Sequence, residues 1–513
     1  MLSEPTVSAL GPDPSWRKHV LNGNAFQQDV IQSFNGWQYA CFYSSRRLDL
    51  GDREPLYVHL SRRKLPIGQW ETFVFHDHPQ TTDDGHNTVQ LGICPGDGTI
   101  HISYDHHCDQ LRYRHSIPSL ATDPESFSWS PQYFTPTLHH LPGLESSVPH
   151  DELLSYITYP RFGQLGDDLW FSFRTGKAGL GDDHLYLYSA SRGAYSSFSP
   201  SSATGASTAT TPFLKGIQNN PYIHGLDSRG GTLYVTWVYR DFVWYEGWDD
   251  PADTKHKQQA GPNSAANNRD LCYAYSSPTT TVAETGQEPT LLPAGQIWRN
   301  GAGDVIADLA RGESITPSSP GVTAFRIPKG SGLTNQEAQA VDHGGGVHVL
   351  NRDSCPSSDP KSGGPDNDDK DGTIQEVKWK HYYRDPTTKT WTSRALPCGY
   401  VSGKRGRLAV SRDDDLYIVL PGGGSRLSIW RAAKSDAYST YSLVWSSSTT
   451  TTQGEMFPLT EPLVDTYRLD HDNVLSVFTR RYAAERLTMP TGPDLKAEEY
   501  ERKVDVVVLD FQL

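Results

Sequence analysis

The amino-acid sequence predicts an all-β chain built as a radial repeat, on three observations. Turn formers and strand formers dominate: 45 Gly and 35 Pro accompany 26 Tyr and 13 Trp, against three Met. That composition describes short strands joined by tight turns. No stretch carries the period of a long amphipathic helix. Finally, units of roughly 40 to 75 residues recur in one order, the sequence mark of radially repeated sheets. Each runs from an inner strand through a Gly/Asp turn and an LYV-type strand to an L-x-Y-x-x-S strand and a Trp-bearing outer strand.

Seven such units follow one another. The first, Trp37 to Phe75, holds WQYACFYSS, LYVHLSRR and WETFVF. The second is a hairpin in which Val89–Ile93 and Ile100–Tyr104 alternate as half-buried strands around Pro95-Gly96-Asp97-Gly98. It continues through LRYRHS to a closing strand near Phe127-Ser128-Trp129. The third passes from Tyr156 through LWFSFR to LYLYSAS, and the fourth from Asn220 through LYVTWVYRD to LCYAYSS. A polar insertion between Asp241 and Asn268 reads as a loop over one face. The fifth begins at Leu333, contains VHVLNRD and WKHYYRD, and carries the insertion SCPSSDPKSGGPDNDDKDG. GRLAVSRDDDLYIVL opens the sixth, and the last runs from Glu461 to VDVVVLDFQL. Residues 1–513 thus read as a single seven-bladed β-propeller, with the final strand free to pair with an N-terminal one. A pair of β-sandwiches would need a linker, and none is found.

Charge and composition exclude several function classes. A net charge of −14 without a basic tract argues against nucleic acid, which needs clustered Lys and Arg. No run of about 18 apolar residues exists, so no membrane span is expected. The N-terminus lacks the basic and apolar regions of a leader, which fits a cytosolic chain or a mature secreted form. Six cysteines show no CxxC spacing, against a zinc ribbon or redox motif. Cys94 with Cys108, and Cys355 with Cys398, are candidate disulfide pairs.

Chemistry concentrates in the second to fourth units. His86 opens one strand of the second unit's hairpin and His106-His107 close its partner, so His86 and His106 are expected to share an edge, beside Arg112 and Arg114. Tyr159 lies in TYPRF and Arg174 ends LWFSFR; Tyr222 and His224 hold equivalent places in the next unit. In a propeller these positions open toward one funnel. Imidazoles, phenols and a guanidinium without a paired carboxylate suit proton abstraction beside a carboxylate better than glycoside hydrolysis. Arg174 would grip a uronate carboxylate and stabilise the enolate-like intermediate. Tyr159 or a neighbouring histidine would serve as base at C5 and acid at O4, these two positions lying on the same side of glucuronate. As a base, tyrosine would need a cation such as Arg174 to lower its pKa. His343, His381, Arg352, Arg384, Arg405 and Arg407 are candidates for sugar subsites across the funnel.

The phrases NGNAFQQDVIQSF, HNTVQLGI with HISYDHH, TYPRF, NNPYIHGL, LTNQEAQAVD with VHVLNRD, and HYYRD resemble the BNR-repeat polysaccharide lyases, the seven-bladed propellers that include ulvan lyases. More narrowly, the chain is similar to the fungal L-rhamnose-α-1,4-D-glucuronate lyases that act on gum arabic. The resemblance spans nearly the whole chain. It implies a secreted enzyme, here as a mature form without a signal peptide, acting as a monomer on an acidic polysaccharide that contains rhamnosyl-glucuronate, with no dissociable cofactor needed for chemistry. By the same resemblance His86, His106, Tyr159 and Arg174 are catalytic and Tyr222 lines the pocket; His224, Arg114, Arg352, His381 and Arg405 are the remaining candidates for substrate binding. Ulvan offers the same linkage, so endo-acting ulvan cleavage is the alternative. A sialidase-like hydrolase is suggested by Ala324-Phe325-Arg326-Ile327-Pro328, but the S-x-D-x-G-x-x-W boxes that should follow are degenerate. A non-catalytic carbohydrate-binding propeller is the third reading. The Asp366 to Asp371 run reads as a solvated acidic loop, with a structural calcium as the rival.

Overall fold

The computed structural model describes the chain except residues 27, 46–54, 146–152, 199–210, 247–254, 257–259, 262–265, 281–290, 356–375, 400, 402, 423–425, 448–456, 459 and 483–503. The Asp366 to Asp371 run of the fifth-unit insertion lies outside the described residues. Seven antiparallel sheets follow one another along the chain, and the fold is the seven-bladed propeller that the repeat predicts.

Blade one is a meander of Ile31–Phe34, Trp37–Ser45, Leu56–Lys64 and Glu71–Gln80, with an inner strand ahead of the first expected one. Blade two has three strands, Val89–Ile93, Ile100–Tyr104 and Tyr113–His115. Phe127 to Trp129 is not a strand; short 3-10 turns at Pro124–Ser126 and Pro131–Tyr133 flank it. Blade three comprises Ile157–Leu165, Asp168–Lys177, Leu180–Ser189 and Ala194–Ser197, and borrows His107–Asp109 along its inner edge. In blade four Asn219–Arg229, Thr232–Asp241 and Asn268–Ser276 are followed by Ile297–Arg299 and Val305–Asp308. Blade five runs from Ala338–Val341 to Trp391–Ala395, and blade six from Arg407–Val410 to Ser442–Ser446.

The ring closes where the sequence allows it to. Thr6–Pro12 pairs antiparallel with Val504–Gln512, setting Thr6 opposite Asp510, so the first strand of the chain completes the last blade. Buried ion pairs lock this seam. Asp510 accepts from Arg63 of blade one and from Arg468 of the only α-helix among the described residues, Thr466–Asp472, at 2.6 Å each. Arg480 meets Asp13 at 2.9 Å.

Burial explains why the strands read as they do. Each blade is covered on both faces by its neighbours, so Trp37–Ser45 is buried at eight of nine positions and Val89–Ile93 at all five. The half-buried alternation expected of the second-unit hairpin is thus replaced by a fully enclosed strand. Trp170, Trp237 and Trp298 fill one cluster between blades three and four. Gly163 is required by this packing, since a Cβ there would lie 2.2 Å from the Trp170 ring. All six cysteines are free, so neither candidate disulfide pair is joined.

Removing one member of a buried ion pair leaves an uncompensated charge, at a cost of about 3–5 kcal/mol. Asp510→Ala is expected to lower the stability by about that amount, read from the urea midpoint. A midpoint unchanged from wild type would mean that the seam is held by strand pairing alone.

Candidate active site

Loop geometry at the mouth of blade two decides which histidine faces the funnel. Asp105 and Cys108 both adopt left-handed backbone, at φ 64° and 56°, so the chain rolls over between them. His106 turns into the protein: it is fully buried, and its Nε2 accepts a hydrogen bond from the Arg112 backbone N–H at 2.8 Å. Burial holds its pKa well below the ordinary histidine value. His107 takes the place expected of His106, stacking on His86 with ring centres 3.8 Å apart and planes 13° apart. The doublet His106-His107 held both residues in view; only the kink at Asp105 tells them apart.

The stack extends on both sides. Phe26 lies 4.7 Å from His86 and His256, from the blade-four insertion, 3.9 Å from His107. Asp84 ties the two central rings together, with Oδ1 2.6 Å from His86 Nδ1 and Oδ2 2.6 Å from His107 Nδ1. Burial raises the Asp84 pKa, but hydrogen bonds from His107 and His86 outweigh it and keep the carboxyl well below the usual range. An ionised carboxylate only accepts, so both imidazoles carry a proton on Nδ1 and a lone pair on Nε2. Burial, then the neighbouring His86, lowers the His107 pKa to about 3. Burial also lowers that of His86, with Asp84 opposing and Arg174 and Arg405 assisting. Asp84, His86 and His107 are spaced as a metal site would be. Their geometry fits hydrogen bonding better, because one ion cannot lie in the planes of two rings stacked face to face.

Tyr159 stands beside this column. It is a non-glycine residue at φ 56°, at a bulge between Thr158 and Arg161 in the inner strand of blade three. Such backbone costs of order 1–3 kcal/mol and persists where packing over-determines it. Its ring centre is 5.7 Å from His86 and 6.2 Å from Tyr222. Arg174, 3% exposed, places its guanidinium carbon 4.9 Å from the Tyr159 ring centre and donates from Nη1 to the Tyr222 hydroxyl at 3.3 Å. Its other contacts are neutral or weak: Thr158 Oγ1 at 3.4 Å and the Gly176 carbonyl at 3.3 Å. The nearby Asp183 sits 3.7 Å from Arg161 instead. Burial, reinforced by the Tyr222 phenol, raises the Tyr159 pKa despite Arg174, Arg405 and Arg161. The lowering expected from Arg174 is present but outweighed, and Tyr159 is a protonated phenol.

The other predicted residues divide. Arg405 borders the column, 4.8 Å from the Phe26 ring centre, and is held by Glu461 at 3.2 Å and Asn335 at 2.7 Å. His224 accepts from the Glu337 backbone N–H at 3.0 Å and lies 3.1 Å from the Asn351 amide; burial lowers its pKa to about 3. Arg352 binds Thr334 Oγ1 and Glu337 in the wall of blade five, where burial pushes the Glu337 carboxyl up to about 7. Two expectations are corrected. Arg114 pairs with Asp77 at 2.6 Å and lies over Phe75, tying the outer strands of blades one and two together away from the funnel. His381 is buried between His348 and the Tyr441 hydroxyl, at 3.0 Å from each. Arg407 lines a cavity of about 300 Å³ on the propeller axis with Asp29 and Asp227. Arg326 is 83% exposed and pairs with Asp270 at 3.5 Å, on the surface rather than in the site. Asp84, Phe26, His107 and His256 are the residues that sequence reasoning did not single out.

Fold and site together define a seven-bladed propeller with a cluster of imidazoles, phenols and one buried guanidinium. The chain belongs to the BNR repeat-containing family, whose model matches residues 37–397. It is 23% identical over 256 residues to the long-isoform ulvan lyase of an Alteromonas species, covering 44% of this chain and 25% of that protein. Identity to the short-isoform ulvan lyase of Alteromonas sp. (strain LOR) is 24% over 260 residues, covering 44% and 48%. The match therefore spans a quarter to a half of these relatives' length. Among solved structures, the polysaccharide lyase Uly1 superposes with a TM-score of 0.59 at 16% identity, covering 99% of this chain and 97% of that one. An ulvan lyase described as a new family of polysaccharide lyase, PL25, gives 0.56 at 13% identity, covering 92% of each.

His107 is expected to be neutral with its proton on Nδ1 at pH 5, as read from imidazole nitrogen shifts; an imidazolium at that pH would contradict the arrangement. Free histidine titrates near 6.5, whereas His107 and His224 titrate at about 3 when folded. The unfolded chain thus binds their protons first, and stability should fall as pH drops from about 6.5 toward 3.

Proposed function

We propose that this chain is a polysaccharide lyase of the ulvan lyase type, cleaving the L-rhamnose-α-1,4-D-glucuronate linkage by β-elimination. The observation that carries this reading is Arg174, a buried guanidinium with no carboxylate ion pair among the described residues, set between two phenols and beside two imidazoles. A buried charge without a counterion is costly, and a uronate carboxylate is the group that its fork fits.

The chemistry follows from the protonation states. With the carboxylate neutralised by Arg174, the C5 proton becomes acidic enough for an imidazole. Nε2 of His86 or His107 takes that proton. The C5–H electrons form the C4=C5 double bond, the C4–O4 bond breaks, and the Tyr159 hydroxyl protonates the departing oxygen. This assignment asks that base and acid approach one side of the ring, because H5 and O4 share a face in glucuronate. Asp84 holds both imidazoles as Nδ1–H tautomers without touching the sugar, a positioning role. The steps need no dissociable cofactor. We read the substrate as the rhamnose-capped glucuronate of gum arabic side chains, and the enzyme as a secreted monomer; the names of the relatives favour ulvan as the second substrate.

Mixing the protein with gum arabic or ulvan should raise the ultraviolet absorbance of the new conjugated double bond. Reducing ends without that absorbance would indicate a hydrolase. Product mass separates the substrates, since free rhamnose marks end-acting removal of caps. Arg174→Ala and His107→Ala should each lower kcat by about 10²–10⁴-fold, the usual range for an acid–base or charge-stabilising group, with the fold intact by circular dichroism. Asp84→Asn should lower kcat on the same scale and reshape the pH profile, because one imidazole must then present Nε2–H. If His106→Ala alone abolished turnover in a folded protein, the assignment of His107 would fail.

A further inference from the structure

Twelve large apolar side chains are exposed among the described residues, and five of them, Leu180, Ile217, Val243, Trp244 and Tyr245, lie on three segments whose backbones meet. Their chain neighbours are in contact: a Cβ on Gly179 would sit 2.9 Å from the Phe242 Cα, and the Phe242 N–H donates to the Gln218 carbonyl at 2.8 Å. Single exposed apolar residues are ordinary, whereas a contiguous group marks a surface that meets something.

The position of the group identifies what it meets. It lies between blades three and four, on the strand ends that carry Arg174 and Tyr222 into the funnel. The same blade-four insertion returns to the site, where the Ala178 N–H donates to the His256 carbonyl at 3.0 Å and the His256 ring covers His107. Trp244, 57% exposed, is also held in place. Its backbone bridges Ala260, the Gly261 N–H donates to the Val243 carbonyl at 2.6 Å, and its indole N–H donates to Glu246 at 2.7 Å. Rigid aromatic rings with one polar tip suit the C–H faces of pyranose rings and the methyl group of a 6-deoxy sugar.

We propose that this apolar rim is a glycan-binding subsite for the sugars that flank the bond to be broken, with Trp244 and Tyr245 as the stacking platform. The proposal rests on the reading of the funnel as a polysaccharide site, but its test does not require turnover. Electrophoretic mobility of the full chain is measured in gels containing ulvan or gum arabic. Wild type should be retarded, and Trp244→Ala and Tyr245→Ala should each raise the apparent dissociation constant roughly tenfold, as loss of one aromatic contact does. Leu291→Ala, at an exposed apolar residue in a separate two-stranded hairpin, should behave as wild type. In kinetics the aromatic variants should raise KM far more than they lower kcat. Equal retardation of wild type and both aromatic variants overturns the subsite, as does the absence of any retardation. A wild-type dimer that Trp244→Ala dissolves, with retardation unchanged, would assign the rim to self-association and overturn it as well. Retardation that depends on Trp244 without unsaturated product from any uronate polymer would leave the subsite standing and remove the lyase reading; product without that dependence would do the reverse.

Discussion

Closure of the ring is the constraint on which the rest of the structure depends. No blade can bury both its faces alone, and the funnel exists only while blades two, three and four are held at fixed angles by a complete circle. The seam between the first and last strands carries this load through Asp510, which accepts from guanidinium groups on two different blades while fully enclosed. Strand pairing across Thr6–Pro12 supplies the backbone bonds, and the ion pairs make the register specific. A slip of one residue would turn Asp510 to the opposite face and leave Arg63 and Arg468 buried without a counterion.

Buried arginines differ in what they face, and Arg240, Arg384 and Arg407 donate to backbone carbonyls, so it is the place between two phenols, more than the lack of a counterion, that marks Arg174. Arg63, Arg114, Arg352 and Arg468 each face a carboxylate within 2.9 Å. Arg174 is equally buried but is surrounded by phenols, a hydroxyl and a carbonyl. Strain accumulates at this place too, since Tyr159 holds left-handed backbone beside it. Packing between blades maintains an arrangement that neither the charge nor the backbone would choose in water.

Much of this is legible in the sequence. Turn chemistry and the repeated strand order predicted seven blades and their closing strand, because both are set by local residue type. Equivalent placement in successive units predicted that His86, Tyr159, Arg174 and Tyr222 face one opening, and the structure brings these four together. What was not legible depends on backbone kinks and on which side of a doubly buried strand a residue lies. His106 and His107 differ by one position, and the left-handed turn at Asp105 decides between them. Arg114 and His381 carry the same chemistry as funnel residues, but blade packing turns them toward neighbouring sheets. Spacing along the chain cannot distinguish an interface between blades from the funnel that those blades surround.

The pairing of Asp84 with two imidazoles bears on the roles in the proposed elimination. Tyrosine and histidine can each be base or acid, and proximity to Arg174 favours a phenolate. Burial overrides that preference and keeps Tyr159 protonated, while a carboxylate that can only accept forces both histidines to point lone pairs away from it. One group is thereby left able to give a proton and two able to take one, before any sugar arrives. In the proposed elimination, the direction of proton flow would then follow from a single hydrogen-bond acceptor two residues ahead of His86.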